Sequence, residues 1–130
     1  MKIVEITTDT QGTIDKVVIE CDRRIRSLTL VLESGVRKTY SGSDLYVCFG
    51  MLRADYPETK FLCKGAKLNV HPSSMSSQMS AGVVAYELQL GKPAGPDELV
   101  NIFDYEVADI TNDIEQQRDF YKRWLESFAG

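Results

Sequence analysis

SLTLVLESGVRKTY, from Ser27 to Tyr40, decides the fold class. Leu28, Leu30 and Leu32 recur at every second position, with Thr29 and Val31 between them. Successive side chains of a strand point to opposite faces, so the three leucines share one side. Glu33, Ser34 and Gly35 supply a turn, and Val36 to Tyr40 returns as the second arm of a hairpin. Toward the N-terminus, Ile3 to Thr7 and Lys16 to Glu20 are β-branched stretches separated by the turn residues Asp9 to Gly12. The first third of the chain therefore reads as strands of a mostly antiparallel sheet, in an order the sequence does not give.

Toward the C-terminus the period changes. Ser41, Gly42 and Ser43 break the strand pattern, Ser43 is the expected N-cap, and Asp44 suits the positive end of the following helix. Leu45, Cys48, Phe49, Leu52 and Tyr56 recur at helical spacing, so Asp44 to Asp55 is expected to pack one face inward until Pro57 stops it. Cys48 lies on that stripe and reads as a packing thiol. Lys60 to Lys64 reads as a short strand, and Ser73 to Ser80 as a short helix capped by Ser73 or Ser74. Met75 and Met79, four residues apart, are expected to tuck together into the core. Val83 to Leu90 alternates as a strand, Gly91 to Pro96 is a loop, and Leu99 to Phe103 is another strand. The closing helix spans Asn112 to Phe128, capped by Thr111 or Asn112, with Asn112 and Glu115 at capping-box spacing. Ile114, Tyr121, Trp124 and Phe128 form its apolar stripe, widened by Phe120 and Leu125. The expected fold is α+β: a mostly antiparallel sheet packed against a central helix and a C-terminal helix on one side, in one domain over residues 1–130.

A chain of 130 residues is long enough to bury one core without staples. No apolar run approaches the roughly 20 residues that span a bilayer, and the opening MKIVEITTDTQG lacks the apolar region of a signal peptide. Cys21, Cys48 and Cys63 are odd in number and lack metal-ligand spacing, which predicts reduced thiols in a cytoplasmic protein. A pI near 5 argues against a nucleic-acid binder, because counterion release needs clustered Lys and Arg.

Charge is segregated along the chain. Between Asp97 and Asp119 stand eight carboxylates and a single cation, Arg118, for a formal charge of −7 against −4 for the whole chain. Such a block repels nucleic acid and attracts a cationic surface. Part of it has a structural reason, since Asp113 and Glu115 fall in the first turn of the last helix, where the macrodipole favours acids. His71 is the lone histidine, and no nucleophile elbow or phosphate loop accompanies it, so a Ser-His-Asp hydrolase has little to stand on. No paired Cys or His motif suggests zinc, and the acids from Asp104 to Asp113 do not match a calcium loop.

Phe61 to Glu106 resembles small immunity proteins encoded beside bacterial contact-dependent growth-inhibition toxins. The likeness is carried by Lys64-Gly65-Ala66-Lys67, Asn69-Val70-His71-Pro72-Ser73, Met75-Ser76-Ser77-Gln78-Met79, Ala85-Tyr86-Glu87 and Ile102-Phe103-Asp104. The resemblance implies a cytoplasmic antitoxin, not an enzyme, with no cofactor. It would bind the C-terminal toxin domain of a cognate effector, often a nuclease such as a tRNase. It transfers no fixed set of binding residues. Physical reasoning supplies them: Asp104, Glu106, Asp109 and Asp113 as anions for a basic partner, Tyr105 as an aromatic anchor, and His71 and Gln78 as further contacts. Two readings of Tyr105 stand side by side, since on a strand it would face away from Asp104 and Glu106 into the core. Two other functions remain open: a non-inhibitory adaptor or oligomerisation module, and a small hydrolase using the His71 loop.

Overall fold

A computed structural model describes residues 1–128. The expected N-terminal strands form as β1 (Lys2–Thr10), β2 (Thr13–Asp22), β3 (Ser27–Val31) and β4 (Arg37–Ser41), arranged as a meander, and β5 (Thr59–Phe61) joins it at the β1 edge. The order is β4-β3-β2-β1-β5, antiparallel throughout. Leu28 and Leu30 are buried on the inner face, as the alternation predicts, together with Ile6, Ile19 and Tyr40. α1 (Leu45–Ala54) lies on this face and contributes Leu45, Cys48, Phe49 and Leu52 to the same cluster. Cys48 is fully buried, and burial pushes its thiol up to about 11, which suits a packing role. The N-cap is Asp44, one residue later than expected: its Oδ1 accepts the Val47 N–H at 2.8 Å. Its second oxygen accepts the Ser77 hydroxyl, so one carboxylate ties two helices.

The remaining chain builds a second, three-stranded sheet in the order β6-β7-β8, from β6 (Val70–His71), β7 (Val84–Glu87) and β8 (Leu99–Asn101). Between β6 and β7 runs α2 (Ser74–Ser80), capped by Ser73 as expected. β5, β7 and β8 are shorter than the sequence predicts, β1 and β2 are longer, and β6 is not among the expected strands. Beyond Phe61 the chain turns into a 3-10 segment, Lys64–Ala66, and beyond Glu87 the Leu88 N–H bonds the Asn69 carbonyl at 2.7 Å.

Met75 and Met79 share a face, as their spacing predicts, but that face is outward: they are 69% and 78% exposed. The inward side of α2 is polar. Ser77 reaches Asp44, and Ser80 donates to the Ser76 carbonyl and accepts the Val84 N–H at 3.1 Å. Serines this short let α2 sit close to the body through hydrogen bonds, which turns the methionines to solvent.

α3 (Ile114–Ser127) packs on α1 and β6. Asp113, and neither Thr111 nor Asn112, caps it by accepting the Glu115 N–H at 2.9 Å. Asn112 is engaged elsewhere, donating to the Tyr56 and Thr59 carbonyls at 2.9 Å each. Trp124 is buried, Ile114 and Tyr121 are half-buried, and Gln117, absent from the expected stripe, is fully buried at its centre. Leu125 and Phe128 are exposed, so the stripe is narrower than expected. Gly50 permits the close crossing of α1 and α3, since a Cβ there would lie 2.6 Å from Ile114 Cδ1.

Candidate functional site

The segment from Asp104 to Asp109 joins β8 to α3. It is a loop, not the strand that would set Tyr105 against its neighbours. Both of its flanks are stitched to the segment from Leu62 to Leu68. Gly65 N–H donates to the Ile102 carbonyl at 2.7 Å, and Lys64 N–H to the Asp104 carbonyl at 2.8 Å. Glu106 N–H donates to the Leu62 carbonyl at 3.2 Å, and Tyr105 and Cys63 form an isolated bridge. On the far side, Leu68 N–H donates to the Asp109 carbonyl at 2.9 Å and Thr111 N–H to the Ala66 carbonyl at 2.8 Å. Gly65 makes the approach possible: a Cβ there would lie 2.8 Å from Ile102 Cβ. Asp109 takes a left-handed φ of 55°, a conformation that aspartate tolerates better than most side chains.

Glu106 fastens the loop from inside. Its Oε1 accepts from Lys67 Nζ at 2.8 Å and Lys64 Nζ at 2.9 Å. Its Oε2 accepts the N–H groups of Val107 and Ala108 at 2.9 and 3.1 Å. Both lysines also reach Glu87 Oε1, at 2.9 and 3.0 Å, which closes a four-membered charge cluster. Hydrogen bonds from Lys67, the Ala108 N–H and Lys64 hold the Glu106 carboxyl far below the usual range. For Glu87, burial pushes upward but the bonds from Lys67 and Lys64 outweigh it, so its pKa falls too. Burial pulls both lysines down, and their bonds to Glu106 and Glu87 more than offset it. Four donors on one partly buried carboxylate give it a single orientation.

With Glu106 turned inward, its neighbours turn outward. Tyr105 is 65% exposed and Val107 is 60% exposed. Asp104 and Asp109 are exposed on either side and make no ion pair among the described residues. The result is a rigid tip with an aromatic and an aliphatic side chain between two free carboxylates. Of the anion set predicted from sequence, Asp104 and Asp109 stand on this tip with Tyr105. Glu106 belongs to its scaffold, and Asp113 is exposed but occupied as the α3 cap. Val107 was missed, because an isolated valine among acids carries no periodic signal. Lys64, Lys67 and Glu87 were missed as a unit, because their pairing is long-range.

His71 and Gln78 lie away from the tip. His71 is on β6, two strands across the small sheet from β8, and Gln78 is exposed on α2. The His71 ring stacks on Tyr121 at 4.1 Å between centroids, with planes 6° apart, and tilts against Tyr46 at 5.3 Å. Nδ1 lies 2.6 Å from the Pro72 carbonyl, which can only accept, so Nδ1 carries the proton. Burial lowers the His71 pKa and favours the neutral ring. The neighbouring acid, Asp44, holds Ser77 and the start of α1. These bonds give the His71 loop a packing role.

Among the described residues no helix is long and apolar enough to cross a membrane. In comparisons with known proteins, the chain matches no family model and no curated protein.

Proposed function

We propose that the protein is the immunity partner of a contact-dependent growth-inhibition effector. It acts in the cytoplasm by binding the effector's C-terminal toxin domain, a basic protein such as a tRNA-cleaving nuclease. It blocks that domain without chemistry of its own. The reading is supported by one observation above all: a loop fastened by Glu106 presents exposed Tyr105 and Val107 between unpaired Asp104 and Asp109. A nuclease groove must offer Lys and Arg to a phosphate backbone, and carboxylates can stand where phosphates would. The aromatic side chain supplies buried area, the acids supply steering, and the rigid loop loses little entropy on docking. The likeness of Phe61 to Glu106 to immunity proteins motivates the choice of partner.

The test is reconstitution with the toxin domain encoded beside this chain. The expected result is a stoichiometric complex in which the toxin no longer cleaves its substrate, with protection lost on Tyr105→Ala. A toxin that stays fully active beside the folded protein contradicts the proposal.

A further inference from the structure

The two sheets end in β4, β5, β6 and β8, and these edges differ. On β5 the Asn112 amide donates to the Thr59 carbonyl at 2.9 Å. On β6 the Tyr46 hydroxyl donates to the Val70 carbonyl at 2.8 Å, and α3 packs alongside. The 3-10 segment packs on β8. β4 has no such cover among the described residues: Arg37, Thr39 and Ser41 are exposed. An uncovered edge is a template for another strand.

The hydrogen-bond phase of β3 and β4 identifies the free groups. The Arg26 carbonyl accepts the Gly42 N–H at 3.3 Å, and the Val36 carbonyl accepts the Leu32 N–H at 2.9 Å. The strand register sets Leu28 against Tyr40 and Leu30 against Lys38 in the same phase. Antiparallel pairs alternate between bonded and non-bonded, so Lys38 and Tyr40 direct their main-chain groups at β3. Those of Arg37, Thr39 and Ser41 point outward and meet no partner among the described residues. The strand is also held in place. Asp55, the C-cap of α1, accepts the Tyr40 hydroxyl and Lys38 Nζ at 2.7 Å each. Met51, one turn earlier on the same flank of α1, is 44% exposed.

We propose that β4 pairs antiparallel with β4 of a second copy of this chain, about a two-fold axis at Thr39, joining the two sheets into one. The strand is complementary to itself in this register. Arg37 faces Ser41 of the other copy and Thr39 faces Thr39 of the other copy, so each outward N–H and C=O meets a partner. Lys38 faces Tyr40 of the other copy, and no two cations stand directly opposite one another. The Thr39 hydroxyl, bonded to that of Thr29 at 2.8 Å, extends a row of threonines across the axis. α1 packs over β3 and β4, so the two copies of α1 come about 10 Å apart, the spacing of packed helices, with Met51 of each between them. The surface shares no residue with the Asp104–Asp109 loop, so it stands or falls independently of the toxin-binding proposal.

The experiment follows the full chain by sedimentation equilibrium and amide hydrogen exchange between about 1 µM and about 1 mM. Wild type is expected to pass from monomer to dimer across that range. Exchange at the Arg37, Thr39 and Ser41 amides should slow at least about tenfold, while Lys38 and Tyr40 stay protected throughout. Thr39→Lys and Thr39→Glu each set like charges against one another at the axis, so each variant alone should stay monomeric with its melting temperature unchanged. An equimolar mixture of the two should dimerise, because opposite charges then meet there. A wild type still monomeric at the highest concentration, a Thr39→Lys variant that dimerises like wild type, or a mixture that stays monomeric would overturn the inference. Protection of the same amides that needs the toxin domain, and not a higher concentration of this chain, would give the edge to that partner and overturn self-pairing.

Discussion

Between α1 and the five-stranded sheet the contacts are hydrocarbon: Leu45, Phe49 and Leu52 against Ile6, Ile19, Leu28 and Leu30. Where α1 meets the C-terminal third, apolar packing of Tyr46 and Phe49 on Ile102 and Phe103 is joined by a buried polar cluster. Arg53, the ninth residue of the same helix, is 0% exposed and has no carboxylate partner among the described residues. Its guanidinium donates to Gln117 Oε1 at 2.6 Å and to the Gly65 and Thr111 carbonyls at 3.2 Å, and it lies 4.9 Å from the centre of the Phe49 ring. Gln117 in turn donates to the Gly65 and Lys67 carbonyls at 2.9 Å. One helix thus faces two kinds of interior. The hydrocarbon side is non-directional and tolerates changes of shape. The polar side fixes the 3-10 segment, Thr111 two residues before the α3 cap, and α3 in one geometry, and the Asp104–Asp109 loop is stitched to that same 3-10 segment.

The contrast is easiest to break at Arg53. Arg53→Ala leaves the Gln117 side-chain oxygen and the Thr111 carbonyl without a donor and the Gly65 carbonyl with Gln117 alone, and is expected to cost about 3–5 kcal/mol in denaturant unfolding. Arg53→Lys, conservative in charge, should still cost about 2–4 kcal/mol because an ammonium cannot reproduce the fork. Leu30→Met on the hydrocarbon side should cost less than about 1.5 kcal/mol. Equal losses for Arg53→Lys and Leu30→Met would erase the distinction.

Glu106→Gln comes next, at about 1–3 kcal/mol, since it keeps the shape but weakens bonds to two ammonium groups. It should also loosen the loop, read as faster amide exchange at Val107 and Ala108 with the sheet amides unchanged.

Acid sensitivity separates the groups further. The Glu106 pKa is depressed in the fold, so its contribution is fully present above the ordinary glutamate value of about 4.3 and is lost as pH falls toward the folded value. The His71 pKa is lowered by burial, so the unfolded chain takes up the proton first, and stability declines as pH falls below about 6.5. Melting temperature against pH should therefore fall in two stages. His71→Phe should remove the upper stage and Glu106→Gln should flatten the lower. A single stage unaffected by either variant would refute both assignments. The smallest effect is expected on α2, where Met75→Ser and Met79→Ser should each change stability by less than about 0.5 kcal/mol.

The N-terminal strands were legible, though not their order, because alternation is a local signal, and Ser27 to Leu32 carries it without interruption. α1 was legible because its apolar residues recur at helical spacing up to Pro57. The C-terminal third was harder to read because part of its interior is polar. Gln117 sits on the buried stripe of α3 but reads as a surface residue until Arg53, 64 positions away, supplies its partner. Asn112 looks like a cap until Tyr56 and Thr59 claim its amide. Met75 and Met79 look like core until Ser77 and Ser80 occupy the inward face. Glu106 looked equivalent to Asp104 and Asp109. Only the lysines at 64 and 67 separate the acid that builds the tip from the acids that stand on it.

The most direct measurement is the kinetics of association between this protein and the basic toxin domain proposed as its partner, at low and at physiological salt, for wild type and for Asp104→Lys combined with Asp109→Lys. The double variant should associate at least about tenfold more slowly at low salt and lose most of the salt dependence, with its melting temperature unchanged. Association rates and salt slopes identical to wild type would contradict docking through this loop.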